Sequence, residues 1–271
     1  MEQVKPLDSE FLSWALDGAS NLTPEQVQRL AILQREDVVK PTFYVGAGTC
    51  GLGAGAADTL EAVKAFAREN NLDADIVEVG CVGLCAVEPI VDVQLPGKNR
   101  IAFQQMTKDE VPAVLDALVN KGEVVADHLM GQYRGEETAA WDGTIFIDEH
   151  PFFAPQTRWV LANCGLINPA SLEEYIAHGG YRALKKTLTQ KVSPDDICKE
   201  VLESGLRGRG GGGFPAGRKW MFARANKETR RYLICNADEG DPGAFMDRSV
   251  IEGDPHRLLE GMALAAYAIG A

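Results

Sequence analysis

A glycine-rich stretch at residues 204–215, SGLRGRGGGGFP, constrains this chain more than any other feature. It contains six glycines and two arginines, and a Lys-Trp pair follows at 219–220. Glycine allows positive φ and close approach of a ligand to the backbone, and consecutive N–H groups beside guanidinium groups suit a phosphate. The stretch predicts a phosphate-cradling loop. A flexible linker is the alternative, although linkers usually carry Ser or Pro rather than arginines and an aromatic ring.

A short apolar run at residues 232–235, YLIC, predicts a buried strand that ends in the polar segment NADEGDPG at 236–243. Ligands of open α/β sheets bind at the carboxyl ends of strands. Asn236 offers both a donor and an acceptor to a ring edge, and the carboxylates after it accept from hydroxyls. An acidic turn built from Asp, Gly and Pro is the alternative interpretation.

Four motifs in one order make residues 165–271 resemble a known family. They are GGYRAL at 179–184, the glycine-rich stretch through Trp220, NADEGDPGAFMDR at 236–248, and DPHRLLEG at 254–261. This part of the chain resembles the NADH-binding flavoprotein subunit of respiratory complex I. Relatives of that subunit occur in NAD-dependent hydrogenases, formate dehydrogenases and electron-bifurcating complexes.

The resemblance implies which residues hold the cofactors. FMN contacts are expected at Gly208, Arg209, Gly210, Gly211, Lys219, Asn236, Asp238 and Glu239. The residues expected to face NADH are Phe214, Lys219, Phe222 and Asp241. Arg218 stands where the family has a leucine and would favour a phosphorylated ribose. Nothing in the sequence resembles a nucleophile or an acid–base pair, so no catalytic side chain is named.

The family's later flavin segment and its carboxyl-terminal cysteine cluster, which binds a [4Fe–4S] centre, have no counterpart before Ala271. The chain also stops within an apolar helical run, which suggests a fragment. We therefore expect the flavin site encoded here to be incomplete. The [4Fe–4S] centre is expected only in the missing carboxyl-terminal part.

The amino-terminal half predicts strands at 41–45, 76–79 and 90–93, with helices at 56–70 and 106–120. This order resembles a thioredoxin-like [2Fe–2S] ferredoxin domain, and Cys50, Cys81 and Cys85 lie in its expected ligand loops. Four thiolates are normal for an Fe–S cluster, and only three are present. A cluster with an unusual fourth ligand, a zinc site that also lacks a fourth ligand, and a domain without a cofactor remain alternatives.

The expected fold class is α/β, with a thioredoxin-like ferredoxin domain followed by the amino-terminal part of a Rossmann-like FMN/NADH-binding domain. The predicted divisions are a helical extension at 1–40, the ferredoxin domain at 41–121, a mostly extended connector at 122–165, and the incomplete flavin domain at 166–271. Thr23 with Gln26, and Ser171, predict helix N-termini. Cys164, Cys198 and Cys235 lie in apolar surroundings, which predicts core packing.

A net charge of −12 argues against nucleic acid or anionic membrane as a partner. The amino terminus lacks the features of a signal peptide, and no apolar run is long enough to insert in a membrane. We expect a cytoplasmic protein, either free or peripheral to a membrane complex, whose partners are NADH and other iron–sulfur subunits. The predicted function is a flavin-dependent NADH or NADPH dehydrogenase module. A structural or assembly subunit and a nucleotide-binding sensor are the rival hypotheses.

Overall fold

The computed structural model describes residues 8–18, 21–36 and 38–271. The chain divides into two compact units, each made of separate stretches of sequence. The first collects Met1–Ser20, Gly179–Gly240 and His256–Ala271, and the second collects Asn21–His178 and Asp241–Pro255. The predicted domain boundaries stay a prediction.

The strands are β1 (Thr42–Gly46), β2 (Asp75–Val79), β3 (Val91–Gln94), β4 (Ile101–Phe103) and β5 (Leu129–Gln132). The helices are α1 (Ser9–Ala15), α2 (Pro24–Leu33), α3 (Thr49–Ala54), α4 (Ala56–Glu69), α5 (Val111–Leu115), α6 (Leu172–Ala177), α7 (Arg182–Thr189), α8 (Pro194–Glu203), α9 (Ala216–Ala225), α10 (Met246–Gly253) and α11 (Pro255–Ile269). Helix α5 continues as a single π-helical stretch, Asp116–Asn120. No helix in the described part of the chain is long and apolar enough to cross a membrane.

The second unit is built on one five-stranded sheet with the order β2-β1-β3-β4-β5. β1 and β2 are parallel, whereas β3, β4 and β5 join by antiparallel pairing. Helix α4 connects the parallel pair and packs Val63 and Phe66 against Phe43 of β1. The α/β class and the thioredoxin-like order of these elements are confirmed.

The prediction for the amino-terminal half lacked two short strands and one helix. β4 has three residues, β5 lies inside the predicted connector, and α3 replaces part of the predicted cysteine loop. The polar Gln132 ends β5 and is buried because its side chain bonds the carbonyls of Trp141 and Thr144 and the amide of Trp141. Because β5 has only four residues and its glutamine is buried, it lacks the alternation of apolar and polar residues that identifies a strand from sequence.

Helix termini follow the local sequence where capping side chains are present. Thr23 and Gln26 form the predicted capping box at α2, and the hydroxyl of Ser171 accepts from the amide of Glu174 at α6. The predicted helix at 106–120 begins only at Val111. Pro112 lies in its first turn, where the missing N–H has no intrahelical acceptor to lose.

The first unit places two of the sequence motifs against each other. The carboxylate of Glu260 in α11 accepts from the amides of Tyr181 at 2.7 Å and Leu184 at 3.4 Å, and so caps the amino terminus of α7. The Tyr181 hydroxyl lies 3.1 Å from Nδ1 of His256. GGYRAL and DPHRLLEG therefore serve the packing of α7 on α11.

The predicted buried strand at 232–235 is wrong. Those residues form irregular, largely exposed backbone, with Tyr232 75% and Ile234 82% exposed. A strand needs a hydrogen-bonding neighbour, and among the described residues no strand pairs with this segment. Cys235, predicted to be in the core, is exposed for the same reason, whereas Cys164 and Cys198 are buried as predicted.

Candidate functional site

The glycine-rich stretch forms a largely exposed loop between α8 and α9. The amide of Gly208 donates to the carbonyl of Phe214 at 2.8 Å, and the amide of Ala216 donates to the carbonyl of Leu206 at 2.9 Å. Gly211 and Gly213 have φ of +90° and +58°. An ideal Cβ at Gly210, Gly211 or Gly212 meets nothing within 4 Å, so open space faces the exposed backbone at the loop tip. The loop has the backbone freedom and the exposure that a bound phosphate requires.

Helix α9 starts directly after this loop and is held close to α8. An ideal Cβ at Gly217 would lie 2.4 Å from the amide nitrogen of Leu202, so only glycine permits this packing. The structure brings together the rings of Phe214 and Phe222, with centroids 6.3 Å apart. Both rings are largely exposed, and Arg209 and Lys219 are exposed on the same loop and helix. This arrangement offers cations and aromatic faces to a nucleotide-like ligand.

The other predicted contacts lie in the irregular segment after residue 235. Asn236 and Asp238 are exposed, and Oδ1 of Asn236 accepts from the amide of Asp238 at 3.2 Å, which is an Asx-type turn. Glu239 is half-buried with φ of +49°, and Asp241 is exposed. The turn interpretation accounts for the local geometry of this segment, and its cofactor contacts stay a prediction.

The structure brings the three predicted metal ligands together in the second unit. Cys50 lies in the first turn of α3, Cys81 follows β2, and Cys85 begins a short 3-10 turn. All three sulfur atoms lie within 4.8 Å of one another, and Sγ of Cys81 is 3.6 Å from Sγ of Cys85. The amide of Gly83 donates to the Cys81 sulfur at 3.1 Å. Burial raises the pKa of both the Cys81 and Cys85 thiols above the ordinary value.

A buried carboxylate that the sequence analysis missed lies beside these thiols. Glu88 is 9% exposed, and its Oε2 accepts from the amide of Ile90 at 2.8 Å. Its side chain also interacts with Cys81, and burial raises its pKa to about 7. A single glutamate between apolar residues gives no sequence signal, since most such residues are solvent-exposed.

The three thiols do not fit a [2Fe–2S] cluster with four cysteine ligands. In that cluster each iron holds two thiolates and bridging sulfides separate the two pairs. Here the three sulfurs all lie within 4.8 Å of one another. The positions that would complete the family spacing with Cys50 are Val45, in the buried strand β1, and Gly55, and neither has a thiol. The three cysteines therefore supply three of the four thiolates that such a cluster takes.

Helix α10 covers the cysteine loops by direct backbone contact. An ideal Cβ at Gly80 would lie 2.4 Å from Cα of Gly253, so the backbones touch at these two glycines. The carboxylate of Glu252 accepts from the amide of Thr49 at 2.9 Å and also from the Thr49 hydroxyl. Glu252 thereby caps the amino terminus of α3, the helix that holds Cys50.

We expect Gly80→Ala to destabilise the second unit by about 1–3 kcal/mol, because the added methyl overlaps the backbone of Gly253 and neither side can yield without moving α10 or β2. The midpoint of urea unfolding measures this loss. Gly53→Ala is the matched control, since a Cβ at Gly53 meets nothing within 4 Å. Equal midpoints for the two variants would contradict the contact.

A buried ion pair links β3 to the turn between β3 and β4. Arg100 in the β3–β4 turn donates to Asp92 Oδ2 at 2.8 Å and to the carbonyls of Gly165 and Leu166 at 2.7 and 3.0 Å. Its guanidinium carbon lies 3.6 Å from the centre of the Tyr44 ring. This pair joins the sheet to the segment that precedes α6.

Residues 201–271, which include the glycine-rich loop, α9, the 236–241 turn and α10, match a family model described as Complex1_51K, the Nuo51 FMN-binding domain. This segment is Nuo51-like. The resemblance predicted from the motifs is thereby confirmed for this part of the chain. All eleven residues predicted to contact FMN or NADH lie within the Nuo51-like segment.

Two curated relatives match an overlapping share of the chain. A NADP-reducing hydrogenase subunit, HndC of Solidesulfovibrio fructosivorans, is 54% identical over 116 residues, which are 43% of this chain and 23% of that protein. A subunit of the NADH-quinone oxidoreductase of Aquifex aeolicus is 55% identical over 101 residues, 37% of this chain and 23% of that protein. The matched part of the chain, which contains the motifs of the Nuo51-like segment, spans about a quarter of the length of these relatives.

Solved structures give weaker likenesses. An NAD⁺-reducing [NiFe]-hydrogenase in the air-oxidised state aligns over 98% of this chain and 42% of its own chain, with 27% identity and a TM-score of 0.35. A thioredoxin-like [2Fe–2S] ferredoxin from Aquifex aeolicus aligns over 38% of this chain and 100% of its own, with 14% identity and a TM-score of 0.31.

Proposed function

We propose that this chain is part of a flavin-dependent NADH or NADPH dehydrogenase module in a multi-subunit redox complex. The observation that supports this most is the Nuo51-like match over residues 201–271 together with an exposed glycine loop of open backbone. FMN, when bound, accepts a hydride from the nicotinamide and releases the electrons singly. The side chains bind and orient, and none is proposed to act as a nucleophile or proton donor.

The residues present fit the phosphate of FMN. Backbone N–H groups at Gly210 and Gly211 are exposed at the loop, and a Cβ at the tip would occupy the space in which a phosphate approaches. Arg209 in the loop and Lys219 in the first turn of α9 add positive charge, and Gly208 lies at the base of the same loop. The proposed flavin contacts are completed by Asn236, Asp238 and Glu239, and the residues proposed to face the dinucleotide are Phe214, Phe222 and Asp241.

The partners and location belong to this proposal as well. The relatives are named as subunits of a hydrogenase and of an NADH-quinone oxidoreductase. We infer that other iron–sulfur redox subunits receive the electrons, and that the protein is cytoplasmic, either free or at the periphery of a membrane complex. The proposed division into a ferredoxin-like domain at 41–121 and a flavin domain from 166 onward belongs here too.

We expect Phe214→Ala to weaken the use of NADH by about 1–3 kcal/mol in kcat/KM while flavin content stays near normal. Phe214 is 47% exposed and its ring centroid lies 6.3 Å from that of Phe222, so a nicotinamide can cover the exposed face. Steady-state kinetics with NADH and flavin quantification on the full-length protein give both readouts.

Trp159→Ala is the control for that variant, because Trp159 is 72% exposed and lies outside the Nuo51-like segment. Unchanged NADH kinetics in Phe214→Ala would remove Phe214 from the nucleotide site. Loss of flavin together with activity would instead make it part of the FMN contact.

The incomplete thiol set favours one alternative for part of the chain, a structural subunit whose ferredoxin-like domain no longer carries electrons. Visible spectra of the intact complex before and after NADH distinguish the two. Bleaching of a flavin band supports the dehydrogenase, and absence of flavin supports the structural subunit. A nucleotide-binding sensor would bind NADH without reducing an acceptor.

A further inference from the structure

We propose that Cys50, Cys81 and Cys85, with the carboxylate of Glu88 as fourth ligand, form a site for one divalent cation of the zinc type. Such a site has a structural role. It goes beyond the proposed dehydrogenase function and does not rest on it, because no electron passes through a zinc ion and the site lies in the second unit.

The sulfur positions suit a single tetrahedral metal. Zinc–sulfur bonds of about 2.3 Å place the thiolates of one zinc about 3.8 Å apart. The sulfurs of Cys81 and Cys85 are 3.6 Å apart, and no pair among the three exceeds 4.8 Å. In an equilateral triangle with edges of 4.8 Å the centre is about 2.8 Å from each corner, so small side-chain rotations bring all three to bonding distance.

The fourth ligand comes from Glu88, which neighbours Cys81. An ideal Cβ at Gly46 would lie 3.0 Å from Oε2 of Glu88, and one at Gly51 would lie 3.4 Å from it. The carboxylate therefore fills the space beside α3 that two glycines leave open. It contacts Cys81 but lies outside the group of three mutually close sulfurs, so binding requires it to turn toward Cys50 and Cys85.

Backbone amides contact two of the proposed ligands, as the outer contacts of metal sites do. The amide of Ile90 fixes one carboxylate oxygen of Glu88, and the amide of Gly83 points at the Cys81 sulfur. Glu252 caps the helix that holds Cys50. Three thiolates with a carboxylate prefer zinc among common divalent cations, since soft ligands disfavour magnesium and calcium.

A single ion here would tie two connections of the sheet together. One ligand comes from α3 after β1, and the other three come from the connection between β2 and β3. Binding forms three metal–sulfur bonds and one metal–oxygen bond and releases the thiol protons to solvent, with no change of oxidation state. The ion would therefore fix the connections at this end of the sheet, next to α10.

The test uses the full-length protein produced with zinc in the medium and purified under reducing conditions. Zinc, iron and acid-labile sulfide are measured by elemental and chemical analysis, and Co²⁺ replaces zinc as a spectroscopic probe of thiolate ligation. Cys50→Ser and Cys85→Ser remove a sulfur, Glu88→Gln removes the carboxylate, and Glu78→Gln, an exposed glutamate on β2, is the matched control.

We expect one zinc per chain that disappears in both cysteine variants, with iron and labile sulfide unchanged by them. Glu88→Gln should weaken zinc binding at least about tenfold, and Glu78→Gln should not. A fall in labile sulfide in the cysteine variants would establish an iron–sulfur cluster and overturn the proposal. Free alkylation of Cys50, Cys81 and Cys85 in protein produced with zinc in the medium would overturn it as well. Flavin content, measured in the same samples, tests the dehydrogenase proposal separately.

Discussion

Gly211→Val is expected to leave the full-length protein without bound flavin. Gly211 lies at the tip of the glycine loop with φ of +90°, where a β-branched side chain is strongly strained. Nothing in the described part of the chain fills the space that its Cβ would enter, so in our proposal the phosphate of FMN does. Strain of about 1–3 kcal/mol adds to the loss of that approach. Flavin released by denaturation and measured by fluorescence gives the result.

The control must carry the same strain without the ligand. Gly143 has φ of +69°, and its Cβ also meets nothing within 4 Å, but it lies outside the Nuo51-like segment. Gly143→Val should therefore lose some stability and keep its flavin. A folded Gly211→Val protein with normal flavin content would mean that the loop does not hold the phosphate.

Arg100→Met is expected to destabilise the second unit by about 3–5 kcal/mol, because it leaves the buried carboxylate of Asp92 without its cation. Asp92 is 2% exposed, and Arg100 is 6% exposed. The variant also removes the donors to the carbonyls of Gly165 and Leu166. Chemical denaturation, followed by a probe of the sheet, measures the change in the free energy of unfolding.

Two further variants separate the ion pair from a general effect of losing arginine. Arg134 makes exposed pairs with Asp148 and Glu149, and Arg134→Met should change the unfolding midpoint little. Arg100→Met combined with Asp92→Leu removes both charges and should recover much of the loss. If Arg100→Met alone unfolded at the same midpoint as Arg134→Met, the carboxylate of Asp92 would tolerate burial without its cation.

Parts of the fold were predictable because their signals are local. The helix caps at Thr23 and Ser171, the apolar strand β1 and the amphipathic α4 each depend on residues close in sequence. The convergence of Cys50, Cys81 and Cys85 followed from placing them in loops of the thioredoxin-like order, which the structure confirms. The Nuo51-like motifs were similarly specific.

Other features depend on contacts between distant residues, which a local pattern cannot contain. Asp92 alternates with Val91 and Val93 in β3, a pattern typical of an outward-facing carboxylate. It is buried because residues 165 and 166 cover that face and supply partners to Arg100. Glu252 could not be predicted for the same reason, since its partner Thr49 lies 203 residues away in the sequence.

The contact between Gly80 and Gly253 determines where this chain can be divided. A cut after residue 121 would follow the apparent end of the ferredoxin-like pattern, yet it would remove β5, the carbonyls that accept from Arg100, and α10 with Glu252. In the remaining fragment the backbone of Gly80, next to Cys81, would lose its contact with Gly253 and become exposed. Because α10 contacts the cysteine-bearing loops through Gly253 and Glu252, a fragment designed to carry the thiol site alone must include residues 241–255.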